Sequence, residues 1–214
     1  MNSPISAVQL RKNREADARR TQIFAVVKAL IKKGGAVEVT IRRVAQEAGF
    51  STTVVYSLFR DKATLITRAM DDDLLALVGA MRAAADQSGQ PLERLRLAGQ
   101  AYVQFGLTHP DEYALVFMEP RPHAPVEAAQ VEHGNTEQDP YAFAYSLMRA
   151  VAREDDTTIH LMAQIFWQGL HGMVSLGIVM GEGELWVPHM APQVNLDALI
   201  DVLLAGLGQR FKLG

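Results

Sequence analysis

Hydrophobic residues recur along this 214-residue chain at intervals of three and four, and no segment alternates convincingly as a strand would. Ile23, Phe24, Val27, Leu30 and Ile31 predict a first helix, opened by Arg11-Lys12-Asn13-Arg14 and Arg19-Arg20 and closed at Gly34-Gly35. Residues 1–10 read as disordered. Thr40 suits the N-cap of a short second helix carrying Ile41, Val44, Ala45 and Ala48, which Gly49 stops. Ser51 suits the cap of a third, to about Phe59. A strand there is rejected because Val54, Val55 and Tyr56 are consecutive. A fourth helix starts at Arg60 or Asp61 and runs to about Ala85 on Leu65, Ile66, Ala69, Met70, Leu74, Leu77, Val78 and Met81.

The same period continues beyond the break at Ser88-Gly89-Gln90-Pro91. It predicts helices over Leu92–Thr108, Asp111–Met118 and Asp139 to about Arg153, then one capped by Thr157 or Thr158 and ending near Gly181. A last helix starts at Asn195 or Asp197 and runs to about Phe211. Residues 119–137 hold three prolines and Gly134 and read as a long loop, and a Gly/Pro/Trp loop follows Gly181. The expected fold is all-α. Two short helices flanking Gly49-Phe50-Ser51 have the spacing of a helix-turn-helix. The predicted layout is a three-helix helix-turn-helix domain over 11–70, joined by a connector helix to a helical ligand-binding and dimerisation domain over 71–214.

Charge supports the division. Residues 11–70 hold thirteen Lys and Arg against five Asp and Glu, a balance of +8; residues 71–214 hold eight against nineteen, −11, and together they give the net −3. A basic first unit fits a polyanionic partner. There is no cysteine, which excludes a disulfide framework, a thiolate zinc site and a cysteine nucleophile. No signal peptide is recognised, and the longest apolar stretch, Ile159–Met180, is too polar for a membrane span. A cytoplasmic protein is expected.

The major groove of DNA admits one helix, and small polar or methyl-bearing side chains let its backbone approach the base edges. Thr52, Thr53, Val54 and Ser57 fit that need, although Val54 serves equally as core. Tyr56 can donate to a phosphate, and Thr40 and Lys62 stand at helix N-termini, which favour anions. Of Arg42 and Arg43, one is expected to be a plain surface charge; Arg42 is carried as the candidate contact. Val55 and Phe59, at i and i+4, should face inward.

These residues carry a resemblance. Thr40-Ile41-Arg42-Arg43-Val44-Ala45-Gln46-Glu47-Ala48-Gly49-Phe50-Ser51, then Val55-Tyr56-Ser57-Leu58-Phe59, Asp61-Lys62 and Leu65 resemble the DNA-binding domain of TetR-family transcriptional regulators. The resemblance implies an all-helical homodimer on double-stranded operator DNA, with positions 40, 52, 53, 54, 56, 57 and 62 facing it. Leu58 departs from the pattern, since many members carry a polar residue there.

In the acidic unit, Phe105, Tyr113, Phe117, Met118, Met148, Met162, Phe166, Trp167 and His171 are candidates to line a pocket for a small, largely apolar ligand; a Met and aromatic stripe at helical spacing is usually core, and each carries that reading beside it. Tyr145 and Met173 belong to the same stripe. His109–Phe117 and Trp167-Gln168-Gly169-Leu170-His171-Gly172 resemble a TetR-type C-terminal domain named for its Trp-His-Gly signature. Trp167 and His171 share a helix face, with His171 either a satisfied buried group or a ligand contact. The last two helices, with Gly169, Gly172, Ser175 and Gly177 on one and Leu196, Leu199, Ile200, Leu203, Leu204 and Leu207 on the other, are expected to form the dimer interface. No HExxH, P-loop or GxSxG occurs, so no enzyme, metal or cofactor is expected. His160 and His171 stand roughly 16 Å apart along a helix, too far for one ion. The expected function is a transcriptional regulator, a repressor released by a ligand. The alternative is a helical small-molecule-binding or catalytic protein with an incidental basic N-terminus.

Overall fold

The structure, a computed structural model, describes residues 7–119, 130–180 and 190–213. Among these residues lie α1 (Ala7–Gly34), α2 (Ile41–Glu47), α3 (Thr52–Leu58), α4 (Lys62–Ala85), α5 (Pro91–Thr108), α6 (Pro110–Phe117), α7 (Pro140–Val151), α8 (Asp156–Met180) and α9 (Pro192–Arg210). The fold is all-α. The extended pairing present among the described residues is one isolated antiparallel bridge, Ala152 with Leu213.

Most helix ends fall where their local chemistry places them. Pro91, Pro110, Pro140 and Pro192 each occupy the first turn of a helix, where no N–H is needed. Three boundaries differ from expectation. Helix α1 begins at Ala7, inside the segment read as disordered, because Ala7-Val8-Gln9-Leu10 contains no helix breaker. Helix α8 is capped by Asp155, whose carboxylate accepts the Thr158 N–H at 2.9 Å, and not by either threonine. Helix α9 begins three residues early, at Pro192. A short 3-10 turn, Ala36–Glu38, was not foreseen; Gly35 enters it at φ 76°, a left-handed conformation open to glycine. The loop expected after Gly181 lies outside the described residues, as does 120–129 of the loop expected over 119–137.

The chain divides into two compact units, Met1–Asp71 with Ala114–Gln130 and Asp72–Tyr113 with Val131–Gly214. The first break falls after Asp71, within α4. The segment from Ala114 belongs to the first unit, whereas residues 71–214 read as one domain. One tie is local: the Gln130 N–H donates to the Asp71 carboxylate at 2.5 Å.

In the first unit α1 packs on α2 and α2 on α3, and Ile23, Val27 and Leu30 of α1, Val44 and Ala45 of α2, Val55 of α3, Phe59 and Leu65 are all buried. Each such side chain contributes about 1.5–3 kcal/mol by leaving water. Phe24 and Phe59 meet with ring centroids 5.5 Å apart. In the second unit, α5 packs on α7, α8 and α9, and α8 packs on α7 and α9. Glycines let α5 come close: a Cβ on Gly106 would collide with Val174 of α8 and lie 2.9 Å from the Tyr113 ring, and one on Gly99 would lie 3.0 Å from Phe166.

Candidate functional sites

In the first unit, two threonine and serine caps set the turn between α2 and α3. The Arg43 N–H donates to Thr40 Oγ1 at 3.2 Å, and the Val54 N–H to Ser51 Oγ at 3.3 Å. Between them Gly49 adopts φ 71°, with nothing within 4 Å of a Cβ placed there. The glycine is required by backbone conformation and not by space. Val55 and Phe59 are buried, as their i, i+4 spacing predicts. The other side of α3 therefore faces solvent. Thr52, Thr53 and Ser57 are exposed, and Tyr56 is 57% exposed. Val54 and Leu58 are half-buried at its edges. The Ser57 hydroxyl donates to the Val54 carbonyl at 2.7 Å.

The two arginines of α2 separate clearly. Arg43 is held by Glu47 at 2.9 Å and by Glu38, and hydrogen bonding to Glu47, then Glu38, raises its pKa. Arg42 is exposed and forms no ion pair among the described residues. Thr40 and Arg42 share an open depression of about 390 Å³ with Arg43, Gln46 and Glu47. Lys62 is the first residue of α4. The N-terminus there is partly served by the chain itself, because Asp61 accepts the Thr64 N–H at 2.8 Å. That bond lowers the Asp61 pKa. The cation at Lys62, more than the bare helix end, is what this position offers an anion.

The second unit holds a chain of polar groups, buried at Tyr102 and Tyr113 and half-buried at Trp167, His171 and Ser175. Trp167 Nε1–H donates to the Tyr102 hydroxyl at 2.9 Å, and the Tyr102 and Tyr113 hydroxyls lie 2.6 Å apart. The Tyr113 hydroxyl lies 2.5 Å from His171 Nδ1, and His171 Nε2 lies 3.1 Å from Ser175 Oγ. Ser175 in turn donates to the His171 carbonyl at 2.7 Å. One assignment gives each of these contacts a donor and an acceptor. Tyr102 donates to Tyr113, Tyr113 donates to Nδ1, and a neutral His171 carries its proton on Nε2 and donates to Ser175. Burial lowers the His171 pKa, which agrees with the neutral ring. Burial likewise pushes Tyr102 up to about 12 and raises Tyr113.

Of the candidate pocket residues, this chain gathers Tyr113, Trp167 and His171. Met148, Met162 and Phe166 are buried in the same unit, and half-buried Phe105 stacks on His109 at 4.6 Å. Phe117 and Met118 belong to the first unit, and Met118 is 40% exposed. Tyr145 stacks on His160 at 4.1 Å. Tyr102 and Ser175 were missed as members of the site. A tyrosine in an apolar helix was the available signal, since a buried hydroxyl requires a partner. Among the described residues no group of three or more His, Asp or Glu is placed to hold a metal ion, and no helix is long and apolar enough to cross a membrane.

Residues 23–69 match the family model described as bacterial regulatory proteins, tetR family, and residues 95–205 match that of the tetracyclin repressor-like C-terminal domain. The chain belongs to the TetR family. As a TetR-family protein it is a DNA-binding transcriptional regulator, and α2 and α3 form its helix-turn-helix. Solved structures share the fold. A TetR family transcription regulator from Marinobacter aquaeolei is 14% identical, with a TM-score of 0.66 over 88% of this chain and 97% of that one. A TetR-like transcriptional regulator from a Rhodococcus species is 18% identical, with a TM-score of 0.63 over 89% and 96%. The TetR family regulator PfmR from Thermus thermophilus is 18% identical, with a TM-score of 0.60 over 86% and 98%. A comparison with curated proteins finds no match.

Proposed function

We propose that this TetR-family regulator is a homodimeric repressor that reads DNA with α3 as its recognition helix and leaves its operator when a small, largely apolar molecule binds the second unit. The reading is carried by the division of labour on α3, where Val55 and Phe59 are buried while Thr52, Thr53, Tyr56 and Ser57 face solvent. In it, Thr52, Thr53, Val54 and Ser57 meet base edges, and Tyr56, Thr40, Arg42 and Lys62 meet phosphates, which set register. The second unit is of the Trp-His-Gly type, on the strength of Trp167, His171 and Gly172. The protein acts by binding and not by catalysis.

Exposed apolar positions support dimerisation through α8 and α9. Leu176 and Val179 on α8 and Val202 on α9 are 60%, 71% and 70% exposed. A Cβ on Gly172 or Gly206 would meet nothing within 4 Å. Stripes of this kind, paired about a two-fold axis, make a four-helix interface. Two recognition helices then read major grooves about 34–36 Å apart. A ligand releases DNA only if it binds the two conformations with different affinity.

Gel-shift titration against the DNA upstream of its own gene tests the assignment. Tyr56→Phe should weaken binding roughly fivefold or more on every sequence, whereas Thr53→Ala should alter which operator is preferred. Wild-type protein that binds no duplex in a salt-sensitive way would sink the reading. Leu176→Arg with Val202→Arg should yield a monomer by light scattering; a dimer that persists would move the interface elsewhere.

A further inference from the structure

Helix α1 is longer than the DNA-binding domain needs. The family match begins at residue 23, yet α1 begins at Ala7. From Gln9 to Gln22 every residue except half-buried Ala16 is exposed. The stripe that serves the core from residue 23 on does not end there. At 100° per residue, Lys12, Ala16, Arg19 and Arg20 fall within about 60° of the axis through Ile23, Val27 and Leu30. The face that is apolar inside the domain thus becomes cationic outside it, and it points to the same side. The point of exit is also fixed: Gln22 Nε2–H donates to the Ala48 carbonyl at 2.9 Å, one residue before the Gly49 of the turn. The basic stripe leaves the domain beside the turn that introduces the recognition helix.

We infer that this helical extension is a second DNA-contacting surface, which clamps the phosphate backbone flanking the segment read by α3. The inference rests on the DNA-binding role of the family but goes beyond the helix-turn-helix. From Gln22 back to Lys12 the helix covers roughly 15 Å, about four nucleotide steps along one strand. Arg19 and Arg20 reach Glu15 and Asp17 at 3.9 and 2.7 Å, with all four side chains near half exposed or more. Such pairs are worth little in water and exchange readily for phosphate. Lys12 forms no ion pair among the described residues. Arg11 and Arg14 project from other faces, which provides an internal control.

The full-length protein should be titrated with a random-sequence duplex of about 30 base pairs and with its own upstream region, at several salt concentrations. Arg19→Gln with Arg20→Gln should flatten the slope of log affinity against log salt by about two per protomer and weaken binding tenfold or more at physiological salt. Arg11→Gln with Arg14→Gln, the same change in net charge, should leave the slope near wild type. Arg19→Lys with Arg20→Lys should restore it, and all variants should melt as wild type does. Two double variants that shift equally would reduce the effect to net charge and overturn the proposal, as would a neutralised stripe with an unchanged slope. A wild type without salt-dependent binding would instead overturn the DNA-binding reading beneath it.

Discussion

The recognition helix and the buried chain of the second unit use the same polar groups in opposite ways. On α3, the hydroxyls of Thr52, Thr53 and Tyr56 face solvent, held out by a helix whose other side is anchored at Val55 and Phe59. In the second unit, the hydroxyls of Tyr102, Tyr113 and Ser175 are used up on Trp167, His171 and one another. The contrast separates readiness from stability. A polar face turned to solvent costs little to keep and can be given to a partner. A buried polar chain costs its full desolvation if one member is removed. Substitutions on the first should therefore change binding and leave folding alone, and substitutions in the second should do the reverse.

The largest break in that rule lies at the anchors of α3. Phe59→Ala empties a buried site against Phe24 and should cost about 3–5 kcal/mol. Because the anchor holds the outward face in place, DNA binding should go with it. Thermal melting and gel shift on the same variant check both. A variant that melts normally and has lost binding would show that Phe59 itself contacts DNA.

A smaller effect sharpens the other side. Tyr102→Phe leaves the ring and takes one hydroxyl from the middle of the chain. Trp167 Nε1–H and the Tyr113 hydroxyl then each lose the hydrogen bond to Tyr102. The expected cost is about 1–3 kcal/mol in stability. Operator affinity of the folded fraction should not change. If instead the variant is fully stable but bound to DNA regardless of any effector, the chain transmits the ligand response and is more than a structural device.

The two regions also differed in how well the sequence disclosed them. The helix-turn-helix is written within about twenty-five consecutive residues, and each signal is local: a cap at Thr40, a left-handed turn at Gly49, a cap at Ser51, then an i, i+4 pair. Local rules act on neighbours, so they could be read in order. The chain through Trp167 and Tyr102 joins residues 65 apart, and that through Tyr113 and His171 joins residues 58 apart. Periodicity places Trp167 and His171 on one helix face but says nothing of which tyrosine lies opposite. Arg43 shows the same limit at short range. It and Arg42 are equivalent by composition; the i, i+4 spacing offers Arg43 the Glu47 carboxylate, but the second one, Glu38, reaches it only through the unforeseen 3-10 turn that Glu38 ends.

The smallest effect, and the one specific to the buried chain, is the response to acid. Burial lowers the pKa of His171 by disfavouring its charged form, and a neutral ring can accept from Tyr113 at Nδ1. Its folded pKa lies below the ordinary value of about 6.5 that it has in the unfolded chain. Between those two values the unfolded state binds more protons, so stability rises with pH through that window and is lost as pH falls through it. Protonating Nδ1 would also set a donor against the Tyr113 donor, so the Tyr113 hydroxyl would have to turn its proton away from the ring. Melting temperature should therefore be flat above about pH 7 and decline below about 6.5, with a shallower decline in His171→Gln, which keeps a polar group and removes the titration. An identical decline in both proteins would place the acid sensitivity elsewhere. The recognition helix has no histidine, so the affinity of the protein that remains folded should not follow the same curve, and this is the test that keeps the two uses of polar groups apart.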